Sequence, residues 1–117
     1  MTTFTISSVV IDCADPLALA AFYAKVVGGE VTGSDPDFAT VGGGAVPLAF
    51  QRVDGYTAPR WPDDAKHAHL DLAVDDVDAA VKELEALGAT RPEYQPGGGD
   101  WVVLTDPEGH PFCVAAG

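Results

Sequence analysis

The sequence predicts an α+β fold built from two tandem βαβββ modules, and three observations carry that expectation. The order strand, helix, short strands runs through the chain twice. Asp15, Ala20 and Gly28 recur as Asp75, Ala80 and Gly88, each displaced by 60. These residues mark the cap, inner face and stop of two helical segments, where chain direction is fixed, so the recurrence reads as an internal duplication. Finally, 117 residues that are 47% hydrophobic and 21% charged suit one packed domain spanning 1–117. Its modules are expected at about 3–53 and 67–117, joined by a connecting segment over 54–66.

Phe4 to Cys13 is rich in β-branched residues, and Val9, Ile11 and Cys13 alternate with Ser8, Val10 and Asp12, which predicts a first strand covered on both faces. Asp15 then sits at an N-cap position and Pro16 at the first helical position. Leu17, Ala20, Ala21, Ala24 and Val27 follow at helical spacing up to Gly28-Gly29. Within that helix, Phe22-Tyr23 are expected to pack on the sheet and to carry no chemistry. Three short strands follow, Glu30 to Thr32, Phe38 to Val41 and Val46 to Val53, punctuated by Ser34-Asp35-Pro36 and Gly42-Gly43-Gly44.

Asp54 to Lys66 has no periodicity and reads as connection. His67 to Val74 alternates again, Asp75 and Asp76 offer N-caps, and Val77, Ala80, Val81, Leu84 and Leu87 form an apolar stripe that ends at Gly88. The remaining strands are expected at Ala89 to Arg91, Trp101 to Thr105 and Phe112 to Ala115. Between them lie the Gly97-Gly98-Gly99 loop and the Asp106 to His110 turn. Neither glycine triplet precedes a helix that could point amides at an anion, so both read as hinges.

Six Lys plus Arg against eighteen Asp plus Glu leave a net charge of −12, a field that repels phosphate backbones and anionic lipid. Nucleic acid and membrane are therefore not expected as partners. No apolar run is long enough to span a bilayer and the start lacks the pattern of a signal peptide, so a cytoplasmic location is expected. Cys13 and Cys113, 100 positions apart, read as buried apolar thiols.

The Asp-capped, alanine-rich helix with Phe22-Tyr23, the run Val74-Asp75-Asp76-Val77-Asp78-Ala79-Ala80 and the turn Asp106-Pro107-Glu108-Gly109 together resemble the vicinal oxygen chelate superfamily. That group includes glyoxalase I, bleomycin and fosfomycin resistance proteins, extradiol dioxygenases and methylmalonyl-CoA epimerase. Arg60-Trp61-Pro62, His69-Leu70-Asp71-Leu72 and Asp106 to Phe112 are similar to its small glyoxalase-like branch. Over nearly the whole chain, the resemblance implies paired modules whose mixed sheets curl around a cavity, and a homodimer.

Enzymes of the superfamily bind a divalent metal through His or Gln, then Glu, His and Glu, on the first and last strands of each module. Those positions fall here at Ser8, near Ala49, at His69 and at Cys113, so only His69 is retained. One imidazole cannot fix a metal geometry, and no cofactor is expected. If Zn, Ni, Mn or Fe does bind, His69 and Cys113 are its ligands, with Asp12 and Gln51 completing a shifted set.

His67, His69 and Asp71 share one face of their strand, and that polar face is expected to look into the cavity. Two readings fit His69 with Asp71: an acid or base steadied by a carboxylate, or a pair satisfied by cross-strand hydrogen bonds. Asp12, Gln51 and His67 are candidate ligand contacts, or else a solvated sheet face. Trp101 and Trp61 are candidate aromatic walls, and Trp101 equally suits a core position. The expected function is binding of a small organic molecule in the sheet-lined cavity, with catalysis left open. The alternatives are a metal-dependent lyase, isomerase or dioxygenase, and a drug-sequestering protein of the bleomycin-resistance type, whose acidity suits a cationic ligand.

Overall fold

The computed structural model describes residues 3, 6–59, 61–62 and 68–117. The chain divides into two compact units, Met1–Tyr56 and Thr57–Gly117. Phe4, Arg60 and His67 lie outside the described residues, and with them the start of the expected first strand and of the fifth.

In the first unit the order is β1 (Val9–Cys13), α1 (Pro16–Val27), β2 (Glu30–Asp35), β3 (Phe38–Gly42) and β4 (Leu48–Arg52), the expected βαβββ. The sheet runs β1-β4-β3-β2, with β1 parallel to β4 and the other pairs antiparallel. The Asp15 carboxylate accepts from the Ala18 amide at 3.2 Å and caps α1, while Gly28 ends it at φ 71. Leu19, Ala20, Phe22 and Tyr23 are buried, and α1 packs on β2, β3 and β4. The Tyr23 ring stacks on Phe50 at 5.4 Å, and Phe22 meets Tyr23 edge-on at 4.9 Å, the packing role expected of this pair. One expectation fails here. β1 is not covered on both faces: Val10, on the face away from α1, is 47% exposed, and Val9, at the sheet edge, is 36% exposed.

In the second unit β5 (Leu70–Val74), α2 (Val77–Leu87), β6 (Val102–Thr105) and β7 (Pro111–Ala116) form a sheet of order β5-β7-β6. β5 is parallel to β7, and β6 is antiparallel to it. Within the α2 stripe, Val81 and Leu84 are buried whereas Leu87 stays 37% exposed. The helix is capped by Asp76, whose carboxylate accepts from the Ala79 amide at 3.1 Å. Asp75 is thus not the counterpart of Asp15. With 11 residues against 12 in α1, α2 is one residue shorter, so the duplication keeps its stop but not its cap in step.

The strand expected at Ala89 to Arg91 is reduced to one bridge, in which Thr90 exchanges two backbone hydrogen bonds with Thr105 at 2.9 and 2.7 Å. Pro92 ends it, since it has no N–H to extend a ladder. Gln95 takes over that edge with its side chain: its Oε1 accepts from the Val103 amide, and its Nε2 donates to the carbonyls of Val103 and Pro92, all at 2.9 Å.

Candidate functional site

Register determines what each sheet presents. In the first unit Asp12 pairs with Gln51, and Gln51 with Phe38, on the face opposite α1, so these two expected ligand contacts stand side by side. Val10, Ala49 and Thr40 lie in the adjoining row of the same face. In the second unit Leu70 pairs with Phe112 and Leu72 with Val114, facing α2. The other parity puts Asp71 opposite Cys113, and Cys113 opposite Val103, on the face away from the helix. His69, two residues before Asp71, joins this row.

That face of the second unit lines an open cleft of about 580 Å³. Its floor is Asp71, Ala73, Cys113, Ala115 and Val103, and its rim carries His69, Trp61, Pro96, Asp100, Trp101 and Pro111. The volume lies in the range of small-molecule sites, which are mostly apolar with a few convergent polar groups.

The polar groups converge at one spot. His69 Nε2 stands 3.1 Å from Asp71 Oδ1, with the two side chains 42% and 78% exposed. A carboxylate at Nε2 favours the tautomer protonated there and leaves Nδ1 to accept. One ligating atom each from His69, Asp71 and Cys113 lies within 4.8 Å of the others. Cys113 is half-buried and faces the cleft, which corrects its reading as a buried apolar thiol. Cys13, 0% exposed with its Sγ 3.6 Å from the Gln51 carbonyl, fits that reading.

The superfamily implies a divalent metal, and these three donors offer a partial fit. Bond lengths of about 2.0–2.3 Å to N, O and S ligands put tetrahedral donors roughly 3.3–3.8 Å apart. Atoms within 4.8 Å stand somewhat wider than that spacing, and an imidazole, a carboxylate and a thiolate are a donor set that Zn accepts. Asp71 is the member of this set that the sequence reading did not place among the ligands.

Two aromatic walls are held by specific contacts. Trp61 Nε1–H donates to the Tyr94 carbonyl at 3.0 Å, and the Tyr94 ring lies 6.1 Å from it. Trp101 is 39% exposed, so it belongs to the cleft and not to the core. Its indole rests on Gly97, where a Cβ would stand 2.6 Å from Cδ2 and 2.8 Å from Cε2. Gly97 is therefore a seat for Trp101 and not merely a hinge. Asp100 and Pro96 also went unread as cleft residues. Their signal is the run Gln95 to Trp101, in which a proline and three glycines lead into an Asp-Trp pair.

Asp106, in the turn expected from composition, is 3% exposed and its carboxylate is held by three donors. It accepts from the amides of Glu108 (2.8 Å) and His110 (3.0 Å), and His110 Nδ1 stands 2.9 and 2.7 Å from its two carboxylate oxygens. This pair closes the turn into β7 and so places the strand that carries Cys113.

Two mixed sheets, each with a helix on one face and an open opposite face, are the architecture of the vicinal oxygen chelate superfamily. A glyoxalase/bleomycin resistance protein/dioxygenase family enzyme from Burkholderia phytofirmans is 26% identical with a TM-score of 0.72, over 94% of this chain and 96% of its own. The bleomycin-binding protein of Streptomyces verticillus, solved with copper(II)-bleomycin, is 22% identical with a TM-score of 0.61, over 100% and 99%. A glyoxalase family protein from Enterococcus faecalis is 21% identical with a TM-score of 0.70, over 95% and 96%. No curated protein matches the sequence. The pattern of the glyoxalase-like domain family matches residues 8–115, and the chain belongs to that family.

Proposed function

We propose that the chain binds a small organic molecule in the cleft of its second unit, with Trp61 and Trp101 as walls and His69 and Asp71 as the polar contact. The observation that carries this reading is the meeting of two positioned indoles with His69, Asp71 and Cys113 around about 580 Å³. A His ring steadied by a carboxylate can hold a ligand hydroxyl or carbonyl, and can give or take a proton from it. Asp12 and Gln51, adjacent on the first sheet, are proposed as ligand contacts on the open face of the first unit itself. His67 is kept in that role from its sequence position alone. A cytoplasmic homodimer completes the proposal.

The test is a metabolite and drug panel, copper(II)-bleomycin included, read by thermal unfolding. A ligand at about 100 times its Kd adds roughly 2.7 kcal/mol, which raises Tm on the order of 10 °C in a domain of this size. A shift that disappears in Trp101→Ala supports the proposal. A panel without any shift removes it.

The spacing of His69, Asp71 and Cys113 favours a second reading, a metal-dependent lyase, isomerase or dioxygenase. A divalent ion held by these residues would act as a Lewis acid toward oxygens of a bound substrate. Elemental analysis of protein purified without chelators tests it. About one equivalent of Zn, Ni, Mn or Fe, lost in Cys113→Ala, supports the reading, and metal far below one equivalent after reconstitution overturns it.

A further inference from the structure

We infer that the occupant of this cleft is an organic cation with an apolar or aromatic body. The inference rests on the proposal that the cleft binds a small molecule, and it adds the charge class. Asp71 and Asp100 both line the cleft and both are exposed, and among the described lining residues there is no Lys or Arg. The imidazole of His69 is already engaged with Asp71 at 3.1 Å. An anion entering here meets two carboxylates and, among the described lining residues, no Lys or Arg to answer it. A neutral ligand satisfies the apolar walls but offers no charge to Asp100 or to the exposed carboxylate of Asp71 beside His69.

A cation is matched twice. Its charge faces Asp71 and Asp100, and its body lies against indole faces, which attract cations through the ring quadrupole. The indoles are held ready for this, Trp61 by its bond to the Tyr94 carbonyl and Trp101 by its seat on Gly97. Little side-chain entropy is then left to lose on binding. The net charge of −12 further favours encounter with cations.

Trp61 and Trp101 are the two tryptophans of the chain, so intrinsic fluorescence reports on this cleft. Three probes of similar size separate the charge classes: 2-phenylethyltrimethylammonium, 2-phenylethanol and 3-phenylpropionate. The cation is expected to quench with an affinity at least about tenfold above the alcohol, and the anion to bind most weakly. Asp71→Asn and Asp100→Asn should each weaken the cation about three- to tenfold and leave the alcohol unchanged. Glu85→Gln, which removes the same charge from α2, should change neither. Equal or tighter binding of the alcohol overturns the charge assignment while the cleft remains a binding site. If none of the three probes quenches and the thermal panel also shows no shift, the cleft proposal falls with it.

Discussion

The side-chain amide of Gln95 hydrogen-bonds both backbone groups of Val103, taking the place of a neighbouring strand at the edge of β6. It thereby holds the backbone of Val103, on the cleft floor, next to Pro96, on the rim. Gln95→Leu removes three hydrogen bonds from part-buried partners, and about 2–4 kcal/mol of stability should be lost. Gln95→Glu keeps the acceptor for the Val103 amide but sets a carboxylate oxygen against the carbonyls of Val103 and Pro92, so it should cost at least as much at neutral pH. Urea unfolding of the two variants beside the parent checks the order.

Gly97 and Gly98 are neighbours with opposite constraints. A Cβ at Gly97 collides with the Trp101 carbonyl oxygen as well as with its ring, whereas Gly98 has open space but φ +59. Gly97→Ala is expected to shift the Trp101 backbone and its ring together, move the emission maximum and weaken any cleft ligand, at about 3 kcal/mol of stability. Gly98→Ala should cost roughly 1 kcal/mol through backbone strain and leave the emission unchanged. Fluorescence spectra and thermal melts of both variants separate steric displacement from strain.

The two thiols should differ in reactivity. Cys113 is half-buried and opens on the cleft, while Cys13 is 0% exposed. A thiol-specific reagent should modify one equivalent per native chain and a second only on unfolding, with the first lost in Cys113→Ser. If metal binds at His69, Asp71 and Cys113, added Zn should protect that first equivalent. The kinetics of a colorimetric thiol assay read both outcomes.

Asp106 accepts hydrogen bonds from two amides and the His110 ring while its side chain is wholly buried. Asp106→Ala leaves these donors without an acceptor, and a loss of about 3–5 kcal/mol is expected. His110→Ala keeps both amide bonds and should lose about half as much. Denaturant midpoints of the two variants decide whether the amides or the imidazole dominate.

Much of the fold was legible because its signals are local. The alternation at Val9 to Cys13, the Asp15 and Gly28 limits of α1, and the stripe on α2 each depend on neighbours within about one helical turn or two strand positions. Parity also carried the candidate site, putting His69 and Asp71 on the face opposite Leu70 and Leu72. The strand after α2 was misread because its β-like composition is overruled by Pro92 and by the Gln95 side chain. Trp101 kept two readings, since whether a large aromatic is core or wall depends on the groups that later surround it.

By itself, then, the amino-acid order determined the doubled strand-helix-strand plan, the acidic charge and the polar face of β5, all consequences of short-range periodicity, capping and composition. Only the tertiary structure decided that Cys113 stands beside Asp71, that Gly97 seats Trp101 and that Asp100 shares their cleft. Such proximities depend on the register between strands distant in the chain and on which backbone leaves room for a ring, and neither is encoded in local spacing.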